Sequence, residues 1–593
     1  MSGRGEAGVA GGAGGAGAAS VADVAAGRPD GAGGLGGALG AGAEPGPAIS
    51  VEVLTDPAGV PRARAMLQRA EWAARAFARY DKQAVDRVVH AAARAGAEKA
   101  REYAEWAVRE TGFGVAEHKV IKNLACSTGL VEAYATHDYV TPRFDPASKI
   151  VEVPRPAGVV LALTPSTNPV ASVYFKALLA LMTRSAVVIS PHPQARECCA
   201  DAARTLERAA VAAGAPDGVI QVVDQPSVPL IDALMTDERT SVIVATGGSP
   251  VVRAAYSSGT PAIGVGPGNV PVLVDATADL AKAAKRIADS KSFDNSILCT
   301  NESVLIVEDS VADGLLRHLK REGAYPLEPG EADKIAALLF PGGRFDVRFV
   351  GKDATQIAAE AGLRVPGTTR ILLAPFSLVV PEQPLAHEKL CPVLGLVRVP
   401  DARRGIDAAR AVLRITGRGH SAAIHSTDPA TIMQFGADVD VLRVSVNVGN
   451  SLGSSGISTY LAPSMTVGTG FFGRSSLTEN LEPKHLVQWV RLAYDRDPAE
   501  QFGNFSGLVP WETPAGPMPP YPLASNMAED GRGGYPDAAS NKTPRRGDTP
   551  ARDTGGSGLR GAMGEVPDAA ALREVIRRIV IEELAQLAGG SRG

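Results

Sequence analysis

Cysteine is scarce: five in 593 residues, an odd number with no CxxC spacing. That argues against a disulfide framework or a zinc site, and a reducing, cytoplasmic setting follows. Charge is nearly balanced, at −4 for pH 7, and Lys and Arg form no dense block. Binding to nucleic acid by phosphate neutralisation is therefore not expected. There is no apolar run of transmembrane length and no basic start leading into an apolar core, so neither a membrane partner nor a secretory signal is expected. P-loop, HExxH and DxDxDG patterns are missing too, which removes common signals for nucleotide hydrolysis and metal sites. Against these absences stand 45% hydrophobic and 21% charged residues, close to globular averages and enough for a large core.

Glycine (65) and proline (43) exceed their usual shares, so some segments are expected to be non-globular. Residues 1–51 are dominated by Gly and Ala and read as a disordered tail, because they bury too little to offset their ordering entropy. From residue 52 to about 497 the chain reads as one continuous globular body. Residues 61–135 carry helical periodicity, as in Met66, Ala70, Trp72, Ala73, Phe77 and then Val85, Val88, Val89, Ala92. Short apolar runs follow at 159–164, 186–190, 219–223 and 241–246, separated by helical stretches such as 171–183 and 194–213. Strand and helix alternating at this spacing predict an α/β fold, a parallel sheet covered on both faces. A second series at 270–275, 303–308, 370–375 and 441–448 predicts a second α/β domain. Residues 498–566 read as a flexible linker. In 567–588, Leu572, Val575, Ile576, Ile579, Val580, Leu584 and Leu587 fall on one stripe, which predicts an amphipathic helix.

Two local patterns carry chemistry by themselves. In SVIVATGGSPVVRAAYSS (241–258) an apolar strand runs into Gly-Gly and then a helix. Such an open helix start suits an anionic group such as a pyrophosphate, although an ordinary strand-to-helix turn reads the same way. Cys299 sits in KSFDNSILCTNESV, between a predicted helix at about 277–290 and a strand from Ser303. A loop cysteine there is open to activation, whereas most lone cysteines are small core residues. Cys126, Cys198 and Cys199 read as packing residues. GVGPGN (264–269) lacks GxGxxG spacing and is weak alone.

Several longer blocks change the balance. TPSTNPVASVYFKAL (164–178), VVISPHPQA, ATGGSPVVRAAYSSGTPAIGVGPGNVPV, SFDNSILCTNES, HEKLCPVL and PKHL resemble the aldehyde dehydrogenase superfamily. In this wording they are similar to its CoA-acylating branch, meaning the acylating half of bifunctional aldehyde–alcohol dehydrogenases and relatives in bacterial microcompartments. ETGFGVAEHKVIKN (110–123) and DQPSVPLIDALM (224–235) fit the same branch.

The resemblance implies a Rossmann-like NAD- and CoA-binding domain over 52–265, with an oligomerisation strand near 140–156. It implies a catalytic domain over 266–465 and a return segment over 466–497. Carried over residue by residue, Cys299 is the nucleophile and Asn168 donates its amide to the oxyanion, beside the Cys299 N–H. Thr164, Pro165, Ser166, Ser190, His192, Thr246, Gly247, Gly248, Ser249, Gly266, Glu388 and Leu390 fall on the cofactor-binding positions. The cofactor is NAD, with NADP open, because Ser190, Pro191 and His192 stand where many hydrolytic relatives carry a lysine. Those relatives also have a glutamate that activates water. Here Gly264 or Val265 occupies its place in IGVGPGNVP (263–271), so the acyl group is expected to leave on coenzyme A. The implied reaction takes a small aldehyde, NAD and CoA to an acyl-CoA. A hydrolytic enzyme and a non-catalytic shell-interaction protein are the alternatives. Homo-oligomerisation is implied by the family. The 567–588 helix is expected to dock a shell protein and so place the enzyme inside a microcompartment.

Overall fold

The computed structural model describes residues 59–513 and Tyr521. The Gly/Ala-rich tail, most of the linker and the stripe expected at 567–588 lie outside the described residues. The early helical periodicity is realised as helices Val60–Phe77, Lys82–Glu98, Ala100–Thr111, Ala116–Ala125 and Thr128–Ala133. Ala70, Ala73, Phe77, Val85, Val88, Val89 and Ala92 are all buried, while Met66 and Trp72 are partly covered. The Asp81 carboxylate accepts from the Ala84 N–H at 2.8 Å and fixes the start of the second helix.

Among the described residues, fifteen strands form three sheets. β1 (Arg143–Asp145) and β2 (Ile150–Pro156) pair antiparallel. β3 (Val159–Thr164), β4 (Ala186–Pro191), β5 (Ile220–Val222), β6 (Val242–Thr246) and β7 (Ala262–Val265) form a parallel sheet ordered β5-β4-β3-β6-β7. β8 (Val270–Val274), β9 (Glu302–Glu308), β10 (Ala324–Pro326), β11 (Ile371–Pro375), β12 (Val393–Val399), β13 (Ala422–His425) and β14 (Val444–Val446) form a second parallel sheet, ordered β10-β11-β12-β9-β8-β13-β14. Every residue of β3, β4, β8 and β9 is buried. This is why those strands read as unbroken apolar runs with no alternation.

β15 (Val487–Ala493) returns to pair antiparallel with β2, Val490 opposite Val153. The segment 140–156, expected to carry an oligomerisation strand, supplies β1 and β2; β2 is the middle of the three-stranded sheet, and the open edges belong to β1 and β15. The run 441–448 yields only Val444–Val446, because Asn447 turns to a positive φ of 52°. The chain from 498 onward, expected as linker, begins with anchored residues. The Thr513 hydroxyl accepts from the Asp81 N–H at 2.9 Å. The Arg184 guanidinium lies 4.1 Å from the Trp511 ring centre, and Tyr521 meets Trp72 edge-on.

Two features of this layout position the site. The five-stranded sheet reverses its order between β3 and β6, so the loops after Thr164 and Thr246 open a crevice at their carboxyl ends, the usual place for a dinucleotide. Lys176, buried in the helix Pro169–Met182, clamps that point by donating to the carbonyls of Leu163 (2.5 Å) and Val244 (3.0 Å). In the seven-stranded sheet the opposite end is used: the segments holding Gly268, Cys299, Glu388, His420 and Arg443 all precede their strands.

Candidate active site

Cys299 follows the tight turn Phe293–Ser296 and precedes β9. All five cysteines are described; Cys126, Cys198, Cys199 and Cys391 are buried and Cys299 alone is partly exposed. Burial first, and then the Glu388 carboxylate, push the Cys299 thiol up to about 12, while its own N–H and that of Thr300 pull the other way. Its platform is a buried polar network. The Thr300 hydroxyl donates to the Ser451 carbonyl at 2.9 Å, and the Asn301 amide to the Ser290 carbonyl at 3.1 Å and the Ser451 hydroxyl at 3.0 Å. Glu302 accepts from the Ser290 hydroxyl and the Asn450 N–H, each at 2.7 Å. Fully satisfied networks of this kind fix one geometry. Gly449–Gly453 happens to read GxSxG, but its Ser451 is buried and committed to this scaffold.

Gly268 explains the otherwise weak GVGPGN string. A Cβ there would lie 2.0 Å from the Cys299 carbonyl oxygen and 3.3 Å from Glu388 Oε1, so glycine alone lets the nucleophile segment and the carboxylate close together. Burial raises Glu388 to about 8, against the Gly268 N–H that donates to it and the cations Lys291 and Lys389. His387 points elsewhere: its Nε2 is 2.7 Å from the Pro381 carbonyl.

Asn168 is the N-cap of the helix Pro169–Met182, yet its side chain makes no capping bond. Its Oδ1 instead accepts from Lys122 Nζ at 2.7 Å. Lys122 also pairs with Asp294, in the turn before Cys299. The structure therefore joins Asn168 to the Cys299 segment through one ion pair.

Of the expected cofactor residues, Thr164, Pro165, Ser166, Thr246, Gly247, Gly248 and Ser249 lie at the carboxyl ends of β3 and β6. Thr164 ends β3 with a buried Oγ1 that has no hydrogen-bond partner. Pro165 and Ser166 follow it, half-buried. Thr246 ends β6, its Oγ1 2.9 Å from Thr466 Oγ1. The helix Ser249–Ser257 starts after Gly248 with no side-chain cap. Gly247, Gly248 and Gly266 have no positive φ, and a Cβ would meet nothing closer than 3.7 Å. Neither backbone strain nor packing demands glycine there, so the free space fits the close approach of a phosphate group. Ser190 is buried on β4 and His192 is exposed just beyond it. Leu390 packs with Phe293, Ile297 and Leu298 beneath the nucleophile segment. The residues present fit a dinucleotide: an uncapped helix start, an orphaned hydroxyl and the Glu388 carboxylate.

Four residues at this site escape sequence reasoning. Lys122 and Asp294 lie in quoted blocks, but nothing local distinguishes them from solvated charges. Arg443 is buried, donating to the carbonyls of His420, Gly468 and Thr478 at 3.0, 2.7 and 3.0 Å, in a run that reads as plain strand. His420 is buried with Nε2 unpartnered; burial and then Arg443 hold it neutral, at about 3.

Comparisons with known proteins identify the family. A model of the aldehyde dehydrogenase family matches residues 54–459. The bifunctional aldehyde-alcohol dehydrogenase AdhE of Escherichia coli is 37% identical over 429 residues, covering 71% of this chain and 48% of that protein. The chain thus spans about half the length of the curated relatives it matches first. An acetylating aldehyde dehydrogenase from Geobacillus thermoglucosidasius superposes with a TM-score of 0.72 at 37% identity, over 74% of this chain and 97% of its own. A propionaldehyde dehydrogenase from the Clostridium phytofermentans fucose utilisation bacterial microcompartment does so at 0.68 and 26%, over 73% and 97%. A match running from the first helices through both parallel sheets to the scaffold under Cys299 is more than one shared motif, and the chain belongs to the aldehyde dehydrogenase family.

Proposed function

We propose that this protein oxidises a small aldehyde to its acyl-CoA through a thioester on Cys299, with NAD, or its phosphorylated form, and coenzyme A. One observation carries the choice of CoA over water. At Gly264 a Cβ would lie 2.7 Å from Val252 Cγ1 and 2.8 Å from the Tyr256 ring, and Val265 is buried. A water-activating carboxylate has no room in that strand. Water then lacks a general base, whereas a thiol forms its own nucleophile near neutral pH. The acetylating neighbour in Geobacillus supports the same branch.

In this reading the Cys299 thiol gives up its proton to solvent and the sulfur adds to the aldehyde carbon; the aldehyde C–H bond then breaks, its hydrogen leaving as hydride. The oxygen, as it gains charge, is held by the Asn168 Nδ2 and the Cys299 N–H, a contribution of about 3 kcal/mol from one such donor. NAD, when bound, supplies the hydride acceptor. Thr164, Thr246, Ser249 and Glu388 bind and orient it. The acyl group stays on Cys299 until the CoA sulfur takes its place and the Cys299 sulfur leaves. The test is the product: aldehyde, NAD and CoA are expected to give a thioester identified by mass spectrometry, and a free acid as sole product would overturn the reading.

The protein acts as a homo-oligomer and as microcompartment cargo in this proposal. Val490 and Leu492 on the open edge strand β15, each 45% exposed, supply an apolar strip for a second copy. The stripe at 567–588 supplies the docking element for a shell protein, in the helix-in-groove mode, and the microcompartment neighbour supports that setting. Removing 564–593 is expected to leave the kinetic constants within about twofold, while 564–593 fused to a fluorescent protein localises to shells. An enzyme that unfolds or dissociates on truncation would show the segment to be structural.

A further inference from the structure

We propose that Lys122 is a positioning residue for the oxyanion: its ammonium holds the Asn168 amide with Nδ2 turned toward the substrate oxygen, and its pair with Asp294 registers that amide against the Cys299 segment. The inference rests on Asn168 being the oxyanion donor.

Three observations carry it. The first is the hydrogen-bond inventory. An ammonium has donors only, so the Asn168 atom 2.7 Å from Lys122 Nζ is the oxygen, whatever the amide would otherwise prefer. The Nδ2 is then on the far side, where its one hydrogen bond among the described residues is a long 3.3 Å one to Thr167 Oγ1. That leaves a second N–H to offer a ligand.

The second is what Asn168 gives up. It stands at the N-cap of a buried helix, where an Asn oxygen ordinarily accepts from the first-turn N–H groups. That bond is absent here. Lys122 has captured the oxygen, and with it the orientation of the whole amide. A cation on Oδ1 also polarises the Nδ2–H bonds, strengthening the donor just where negative charge develops.

The third is the cost accepted to keep a cation there. The Lys122 side chain is 1% exposed and that of Asp294 is 0% exposed. Burial pulls the Lys122 ammonium down to about 8 even with Asp294 beside it. Asp294 also takes Lys119 Nζ at 3.1 Å and the Val115 N–H at 2.7 Å. Its own N–H donates to His118 Nδ1 at 2.8 Å. To present its carboxylate this way, the chain runs three successive left-handed residues, Asp294, Asn295 and Ser296 (φ 50°, 50° and 66°). Gly114 is obliged to lack a side chain, because a Cβ would lie 2.1 Å from Asp294 Oδ1. Such strain persists only where the surroundings over-determine it. A helix position needed for packing alone is filled far more simply by leucine or methionine. What the arrangement uniquely provides is one ion tying the amide to the turn five residues before the nucleophile, so that both groups meet the same carbonyl.

The test is a double-mutant cycle of Lys122→Met and Asn168→Ala on the full chain. It is read as kcat/KM for aldehyde alongside NAD affinity and thermal melting. Asn168→Ala is expected to lose about 10²- to 10³-fold, and Lys122→Met about 10- to 100-fold, with NAD affinity unchanged. In the Asn168→Ala background, Lys122→Met is expected to add less than about twofold, because its effect runs through that amide. Multiplying losses would make Lys122 merely structural and overturn the inference. So would a normal rate for Lys122→Met beside a crippled Asn168→Ala, which leaves the oxyanion reading standing. Full activity of Asn168→Ala would remove the oxyanion reading itself. Where Lys122→Met fails to fold, Lys122→Gln, which keeps a donor but can turn its own oxygen to Nδ2, enters the same cycle with the same criteria.

Discussion

Replacing Cys299 with alanine is expected to reduce NADH formation from aldehyde and CoA to below about one ten-thousandth of the parent rate. NAD affinity and the melting temperature should stay unchanged. The effect is this large because the sulfur makes the bond on which both halves of the reaction depend. No second thiol can substitute, because Cys126, Cys198, Cys199 and Cys391 are buried and Cys299 alone is partly exposed. The fold survives because the segment is held by Thr300, Asn301 and Glu302 rather than by the sulfur. The measurement is a spectrophotometric NADH assay beside a thermal melt. Turnover within tenfold of the parent would remove Cys299 from the mechanism.

Omitting CoA is expected to have the second-largest effect. With aldehyde and NAD alone, NADH should appear as a single burst of about one per active site and then stop, leaving the acyl group on Cys299. The physical reason lies at Gly264, where Val252 and Tyr256 fill the space a water-activating carboxylate would need. A trapped acyl-enzyme is directly visible by intact-protein mass spectrometry, as a mass increase that CoA removes. Steady NADH production with free acid and no CoA would mean that another group in the site activates water.

How much was legible in the sequence follows from what kind of signal each element leaves. Fully buried parallel strands are contiguous apolar runs, so β3, β4, β5, β6, β8, β9 and β11 are legible to within a residue or two. β7, β10 and β13 are three or four residues long, too short to stand out by pattern. β12, seven residues with one exposed arginine, is masked by its Cys-Pro boundary. The run 441–448 looked like a full strand because periodicity cannot register the left-handed turn at Asn447. Anchoring of the chain at Trp511 and Thr513 was equally invisible, since Pro- and Gly-rich composition marks irregular backbone whether or not it is tied down.

For the site, the sequence by itself determined the reactive types: one cysteine at a helix–strand junction, an asparagine ahead of proline, a Gly-Gly turn after a buried strand, and a missing carboxylate at 263–271. Those are local facts carried by short ordered blocks. Only the tertiary structure decided the relations among them. It brought the carboxyl ends of β3 and β6 to the amino ends of the second sheet, made Gly268 obligatory by seating it against Cys299, and selected one cysteine of five by exposure. It also recruited Lys122, Asp294, His420 and Arg443. As separate letters they read as ordinary surface charges, because burial and pairing across 172 positions, as for Lys122 and Asp294, exist only once the chain has closed on itself.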